Sequence, residues 1–129
     1  MARLADIMRR GTSSPDPPYC PDAGDIIELN FDPQEGREHA GKRPALVLSA
    51  KIYNERSRLC VLCPMTNQIK GYPFEVAVPA ADHMGGGVVL SDQVKSMSWE
   101  HRGSQFKGRA SQAVIAEVKA KVKALIAIP

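Results

Sequence analysis

The 129-residue sequence lacks the features of a disulfide-stabilised, secreted or membrane-spanning protein. It has three cysteines, an odd number that argues against a disulfide framework and favours a reducing compartment. No apolar run approaches the ~18 residues that a membrane span needs. Asp6 and the Arg9–Arg10 pair interrupt the first residues, where a signal peptide would be apolar. We therefore expect a cytoplasmic protein that does not contact a membrane.

Several catalytic and cofactor-binding motifs are also missing. The triple glycine at residues 85–87 lacks the Lys-Ser/Thr pair of a phosphate-binding loop, and there is no Rossmann fingerprint. GxSxG and HExxH motifs are absent, and the three histidines lie far apart in sequence. Cys60 and Cys63 have no second CxxC, and on a strand residues three apart point to opposite faces. We interpret them as core cysteines and expect no metal site.

The remaining composition is that of one ordinary soluble domain. The apolar share is 43% and the charged share 24%, and the length suits a single core. The net charge of +3 is uneven, because residues 101–129 carry six lysines and arginines against Glu117 alone. A basic bias of this kind suits a polyanionic or acidic-peptide partner, although it is also common on solvated helix faces.

Residues 1–23 differ in composition from the rest. The first ten can form a short helix, and residues 11–21 hold serines, a threonine and four prolines, which is typical of a linker. We predict a flexible or loosely docked N-terminal extension over residues 1–23 and a folded domain over residues 24–129.

The domain part alternates short apolar segments with turn residues, which predicts many short strands. The predicted strands are Asp25–Phe31, Pro44–Ala50, Arg58–Pro64, Tyr72–Pro79, Val88–Leu90 and Gly103–Arg109. Lys51–Ser57 is predicted as a single helical turn, residues 65–71 as a polar loop, and Ser91–Trp99 as strand or turn. The lone tryptophan, Trp99, is expected in the core or a subunit interface rather than stacked on a base.

A helix is predicted from Ser111, which can cap it. Its apolar face recurs at helical spacing and comprises Val114, Ile115, Val118, Val122, Leu125 and Ile126. The predicted fold class is therefore mainly β with a C-terminal helix (α+β), as a small antiparallel barrel or sheet.

Residues 35–49, EGREHAGKRPALVLS, hold an acid, an imidazole and a guanidinium at the mouth of a predicted strand. Gly36 and Gly41 supply the backbone freedom of a mobile loop, and Pro44 favours an extended Arg43. Rigid elements commonly present binding and catalytic groups in this way. Taken alone, the stretch also fits a solvated hairpin loop with ordinary surface charges.

Four segments in sequence order, GDIIELNFDP, GREHAGKRPALVLS, CPMTNQIKGYPFEV and LSDQVKSMSW, resemble the MazF/PemK family of bacterial toxin–antitoxin endoribonucleases. The resemblance covers residues 22–126. It implies an SH3-like antiparallel barrel of the MazF/PemK/CcdB type that forms a homodimer. It also implies sequence-specific, metal-independent cleavage of single-stranded RNA, usually mRNA, without any cofactor. In this family the 2′-hydroxyl attacks the adjacent phosphate and leaves 2′,3′-cyclic phosphate and 5′-hydroxyl ends. A cognate antitoxin with a disordered inhibitory segment is the implied partner.

The resemblance also implies three catalytic residues. Glu38 matches the family's catalytic glutamate, and a carboxylate beside the 2′-hydroxyl can take its proton. Arg43 matches the arginine before the family's proline, and its planar fork suits the charge that develops on the phosphate. Thr66 matches the threonine that contacts the scissile phosphate.

Further residues are candidates for supporting roles. Lys70 lies in the matching basic loop and, with Lys42 and His39, is expected to contact RNA, although an ordinary surface lysine fits Lys70 equally well. His39, next to Glu38, has two further interpretations, as a helper in proton transfer or as a solvated imidazole. Another branch of the family uses an Arg-x-Asp pair. Here Asp92 matches the aspartate but Leu90 stands where the arginine would be, so we assign Asp92 a structural or secondary role.

Two alternatives come from other functional classes. The same fold is used by a toxin that poisons DNA gyrase through a C-terminal Trp-Gly-Ile, whereas this chain ends in Ala-Ile-Pro. A non-catalytic RNA- or protein-binding barrel would need none of Glu38, Arg43 and Thr66. Fold alone does not separate these functions, and the site residues favour the ribonuclease.

Overall fold

The computed structural model describes residues 19–31, 41–83 and 85–126, which contain seven strands, two α-helices and one 3-10 turn. In chain order they are β1 (Asp25–Asn30), β2 (Lys42–Val47), α1 (Lys51–Ser57), β3 (Leu59–Thr66), β4 (Glu75–Ala77), β5 (Val88–Leu90), the 3-10 turn (Ser91–Gln93), β6 (Lys95–Ser98), β7 (Gln105–Arg109) and α2 (Gln112–Ile126). The helix predicted within residues 1–10 lies outside this part of the chain.

The strands form one antiparallel sheet around β3. Their order is β4-β5-β3-β2-β1-β7, and β6 also pairs with β3. Strand β3 pairs through Cys60 with Met97 of β6 and through Thr66 with Val88 of β5. The mainly β prediction with a C-terminal helix is confirmed. The strand pairings of the described residues do not close the sheet, although the fold is barrel-like.

The two faces of the sheet bury two apolar clusters, because side chains alternate along a strand. The first cluster lies under α2 and includes Ile26, Leu46, Cys63, Met65, Val76, Val89, Val114, Ile115 and Val118. The second cluster contains Ile27, Leu29, Ala45, Val47, Cys60, Leu62, Met97 and Trp99. Cys60 and Cys63 thus lie on opposite faces, as predicted, and burial raises the pKa of each thiol to about 12. Trp99 is a core residue, also as predicted.

Several predicted boundaries differ from the structure for identifiable reasons. Met65 and Thr66, predicted in a loop, extend β3 because they pair with Val89 and Val88. The strand predicted over Tyr72–Pro79 shortens to the three residues of β4, because a turn precedes it. The segment Lys51–Ser57 is a seven-residue α-helix rather than a single turn.

Helix α2 does not bury its whole apolar face. Ser111 caps it as predicted, because the Ser111 Oγ accepts the N–H of Val114 at 3.3 Å. Val118 is fully buried, whereas Leu125 is 42% exposed and Ile126 is 64% exposed. The predicted face packs against the sheet as far as the partly buried Val122, and its last two members are exposed. Among the described residues, no helix combines the length and the apolar character needed to cross a membrane.

The described end of the predicted N-terminal extension packs against the domain. Tyr19 lies on the second cluster, and its hydroxyl donates to Asp25 Oδ2 at 2.5 Å. Asp25 in turn pairs with Arg109, whose Nη1 lies 2.6 Å from Asp25 Oδ1. Asp22 accepts the N–H of Lys51 at 3.0 Å. The division of the chain at residues 23 and 24 stays a prediction.

Asn54 links helix α1 to three other segments. Its side chain is fully buried, and its Nδ2 donates to the carbonyl oxygens of Pro21 (2.8 Å) and Ser49 (3.0 Å). Its Oδ1 accepts the Ser49 hydroxyl at 2.6 Å, and its backbone oxygen accepts the indole N–H of Trp99 at 3.0 Å. Every polar atom of this buried amide is therefore used.

We expect Asn54→Leu to lower the free energy of unfolding by about 3 kcal/mol, because it leaves buried carbonyl and hydroxyl groups without partners. Denaturant unfolding followed by circular dichroism measures this. Glu55→Ala, on the exposed side of the same helix, is the control and should change stability by less than about 0.5 kcal/mol. Equal losses in the two variants would contradict the assigned role of Asn54.

Candidate functional site

A polar pocket of about 140 Å³ opens where β3 ends. Its lining residues come from β2, the end of β3, the β3–β4 loop, β4, β5 and the 3-10 turn; they are Arg43, Thr66, Gln68, Lys70, Tyr72, Glu75, Leu90 and Gln93. Arg43, Thr66 and Lys70, which the sequence predicts as site residues, are thus brought together from three segments. A guanidinium, a hydroxyl and an ammonium around one pocket can bind a phosphate.

Arg43 is held at the pocket by its strand and by an aromatic ring. It pairs with Leu29 in the β1–β2 ladder and is half-buried. Its guanidinium lies 5.4 Å from the centre of the Phe31 ring, and Lys95 Nζ lies 5.6 Å from the centre of the same ring. Attraction to the ring limits the positions that the guanidinium can take. Arg43 thus reaches the pocket, and Lys95 adds a second positive charge near the same ring.

Thr66 is the last residue of β3, and two contacts define its position. Its Oγ1 accepts the backbone N–H of Gln68 at 3.1 Å, which leaves the hydroxyl proton to donate to a substrate oxygen. Gly87 packs directly against it with φ +98°, and a Cβ at that residue would lie 2.8 Å from the Thr66 carbonyl oxygen. Only glycine fits both this backbone angle and this approach.

The loop between β3 and β4 is shaped by the carboxylate of Glu75. Glu75 Oε2 accepts the N–H of Lys70 at 3.0 Å, and Oε1 accepts the N–H of Gly71 at 2.8 Å. The N–H of Glu75 donates back to the carbonyl oxygen of Tyr72 at 3.0 Å. These bonds close the loop so that Lys70 and Tyr72 both line the pocket.

Of the other predicted site residues, two lie outside the described part of the chain and two lie outside the pocket. Glu38 and His39 lie in residues 32–40, outside the part of the chain that the structure describes. Lys42 and Asp92 are exposed and do not line the pocket. Burial raises the pKa of the Cys63 thiol, and the negative charge of Asp92 raises it further. All of these roles stay predictions.

Sequence reasoning missed several lining residues, including Gln68, Tyr72, Glu75 and Gln93. The KGYPFEV segment signalled the region, but only its lysine received a role. The bonds from the Glu75 carboxylate to its own loop have no sequence signature of the kind that helix caps have.

A second groove, of about 600 Å³, lies between α2 and the sheet. It is lined by Leu48, Val61, Val94, Lys119, Val122, Lys123 and Ile126, which are mostly apolar. These residues offer no carboxylate, imidazole or hydroxyl for acid–base chemistry. The smaller polar pocket is therefore the candidate site.

Comparisons with known proteins agree with this fold. The family model for the PemK-like, MazF-like toxin of type II toxin–antitoxin systems matches residues 22–126. The chain is 46% identical over 108 residues to the endoribonuclease toxin MazF of Escherichia coli (strain K12), which covers 84% of this chain and 96% of that protein.

Solved structures give the same answer for the fold. The chain superposes on MazF (Form-I) from Deinococcus radiodurans with a TM-score of 0.77 and 45% identity, over 86% of this chain and 100% of that one. A structure of MazE-MazF (Form-II) from the same organism gives a TM-score of 0.76 and 41% identity, over 87% and 100% of the two chains.

The close approach of Gly87 to Thr66 predicts an unequal response to alanine at two glycines. Gly87→Ala and Gly85→Ala both place alanine at positive φ, which costs about 1–2 kcal/mol. Gly85 has open space around its Cβ position, whereas Gly87 faces the Thr66 carbonyl. We expect Gly87→Ala to cost about 1–3 kcal/mol more than Gly85→Ala in denaturant unfolding. Equal costs would mean that Gly87 does not approach the Thr66 carbonyl closely enough to exclude a Cβ atom.

Proposed function

The chain belongs to the PemK-like, MazF-like toxins of type II toxin–antitoxin systems, and we propose that it is an endoribonuclease that cleaves single-stranded RNA at a short sequence. Its Escherichia coli relative of 46% identity is an endoribonuclease toxin. The observation that carries the proposal is the polar pocket in which Arg43, Thr66 and Lys70 meet. A fold of this kind alone would leave the activity open.

The proposed reaction is attack of the substrate's own 2′-hydroxyl on the adjacent phosphorus. The bond to the 5′-oxygen of the next nucleotide breaks, and the products are a 2′,3′-cyclic phosphate and a 5′-hydroxyl end. Glu38 takes the proton of the 2′-hydroxyl, and the departing 5′-oxygen takes a proton from water. Arg43 and Thr66 stabilise the negative charge that grows on the phosphate oxygens. Because the nucleophile belongs to the substrate, the reaction needs neither a metal ion nor another cofactor.

RNA binding is assigned to the groups around this centre. Lys70, Lys42 and His39 contact the backbone, whose phosphates bind such cations independently of sequence. The exposed ring of Tyr72 lines the same pocket and offers a surface on which a base can stack. Asp92 has a secondary role, through the 3-10 turn on which it lies.

The proposed cellular setting follows from the family. The toxin is a cytoplasmic homodimer formed by the domain at residues 24–129, with residues 1–23 as an extension. Its cognate antitoxin inhibits it through a segment that is disordered until bound. The MazE-MazF structure from Deinococcus radiodurans supports a partner of this kind.

We expect the purified protein to cleave single-stranded RNA in the presence of EDTA, because no step of the reaction uses a metal. Mapping the ends of a long cleaved RNA tests this, since 5′-hydroxyl ends require phosphorylation before ligation to an adaptor. A strict metal requirement, or 5′-phosphate ends, would overturn the mechanism.

Arg43→Ala should lower kcat/KM for RNA cleavage by about 100-fold or more, because it removes the guanidinium that stabilises the transition state. Arg56→Ala, on the exposed face of α1, is the matched control and should leave cleavage unchanged. Thermal unfolding of both variants checks that the fold is intact. Near wild-type cleavage by a folded Arg43→Ala protein contradicts the site assignment.

A further inference from the structure

The β3–β4 loop reaches the pocket with exposed side chains, except for the half-buried Phe74 next to β4. Every residue from 67 to 73 is exposed, including Ile69 at 65% and Tyr72 at 42%. Burial in the core therefore cannot fix the conformation of this loop. Ordering the loop costs about 1–2 kcal/mol per residue in lost backbone freedom. Polar contacts must offset that cost.

The carboxylate of Glu75 makes two of these contacts. One is with Lys70, which lines the pocket, and the other is with the next residue, Gly71. The oxygens accept the N–H groups of Lys70 and Gly71 at 3.0 and 2.8 Å. Bonds from backbone N–H groups to an ionised acceptor are stronger than neutral ones.

The backbone at Glu75 is held from the opposite side by helix α2. Lys121 Nζ donates to the carbonyl oxygens of Pro73 (2.6 Å) and Glu75 (3.2 Å). Glu117 lies 3.3 Å from the same ammonium, one helical turn earlier. Glu75, a half-buried residue, thus connects the loop to a rigid helix.

We propose that Glu75 is a positioning residue for RNA recognition, which holds Lys70 and Tyr72 at the pocket by binding the backbone of the Lys70–Gly71 turn. This inference rests on the proposed endoribonuclease activity. Without the carboxylate, the exposed loop loses its fixed geometry, and RNA must order it on binding. The ordering cost then appears as weaker binding rather than as slower chemistry.

A carboxylate in this pocket has a second conceivable role, as a group that transfers the 2′-hydroxyl proton. Both Glu75 oxygens are already engaged with backbone donors, which suits structural support. The two roles separate in kinetics. Loss of positioning raises KM and leaves kcat within a few-fold, whereas loss of a proton-transfer group lowers kcat.

The experiment measures kcat and KM for a short single-stranded RNA that contains the mapped cleavage sequence, with wild type, Glu75→Ala, Glu75→Gln and Glu55→Gln. We expect Glu75→Ala to raise KM by about tenfold, the factor that 1.4 kcal/mol of lost interaction produces, with little change in kcat. Glu75→Gln keeps one acceptor oxygen and should fall between Ala and wild type. Glu55→Gln, an exposed carboxylate on α1 that does not line the pocket, is the control and should behave as wild type.

Amide hydrogen exchange, followed by NMR without RNA, gives a readout independent of activity. The amides of Lys70 and Gly71 should exchange faster in Glu75→Ala, while those of β3 stay protected, which also establishes that the variant is folded. Unchanged exchange and unchanged KM in a folded Glu75→Ala protein would overturn the proposal. A large fall in kcat with KM unchanged would overturn it in favour of proton transfer. If wild type itself does not cleave RNA, the proposed function fails, and the exchange data alone decide whether Glu75 orders the loop.

Discussion

Strand β3 is the constraint on which the rest of the structure depends. Its first half pairs with β6, its second half pairs with β5, and β2 lies along its middle. Its side chains supply both apolar clusters, with Cys60 on one face and Cys63 on the other. A strand bonded on both sides and buried on both faces has little freedom to shift register. Thr66, at its end, is therefore fixed by the core although it faces a polar pocket.

The cations at and near the pocket form a site that an anion can occupy. Arg43 and Lys95 both lie near the ring of Phe31, and Lys70 lines the pocket from the loop. The ring's negative face attracts each cation, but the cations repel one another. A bound phosphate relieves that repulsion. Among the described lining residues the one carboxylate is that of Glu75, which is engaged by backbone N–H groups and so opposes the phosphate less than a free carboxylate would.

The fold was largely predictable from sequence, because it follows from local patterns. Alternation and apolar runs located the strands, and the spacing of Cys60 and Cys63 placed them on opposite faces. The cap at Ser111 is likewise a local rule. The misjudged ends, such as Met65 in a loop, depend on a partner strand that the local sequence does not reveal. Leu125 belongs to the predicted apolar face of α2 but is exposed. A helical pattern does not show how far the sheet beneath the helix extends.

The candidate site was predictable only in part, and the reason is physical. Arg43 and Thr66 stand in recognisable segments, whereas Glu75 acts through hydrogen bonds to the backbone of its own loop. Such bonds can be made by many sequences and leave no periodic signal. They are nonetheless what a recognition loop requires, because side chains that must face RNA cannot also anchor the loop in the core. A loop held by a few polar bonds belongs to the least stable part of a fold, and binding can reorder it at small cost to the rest.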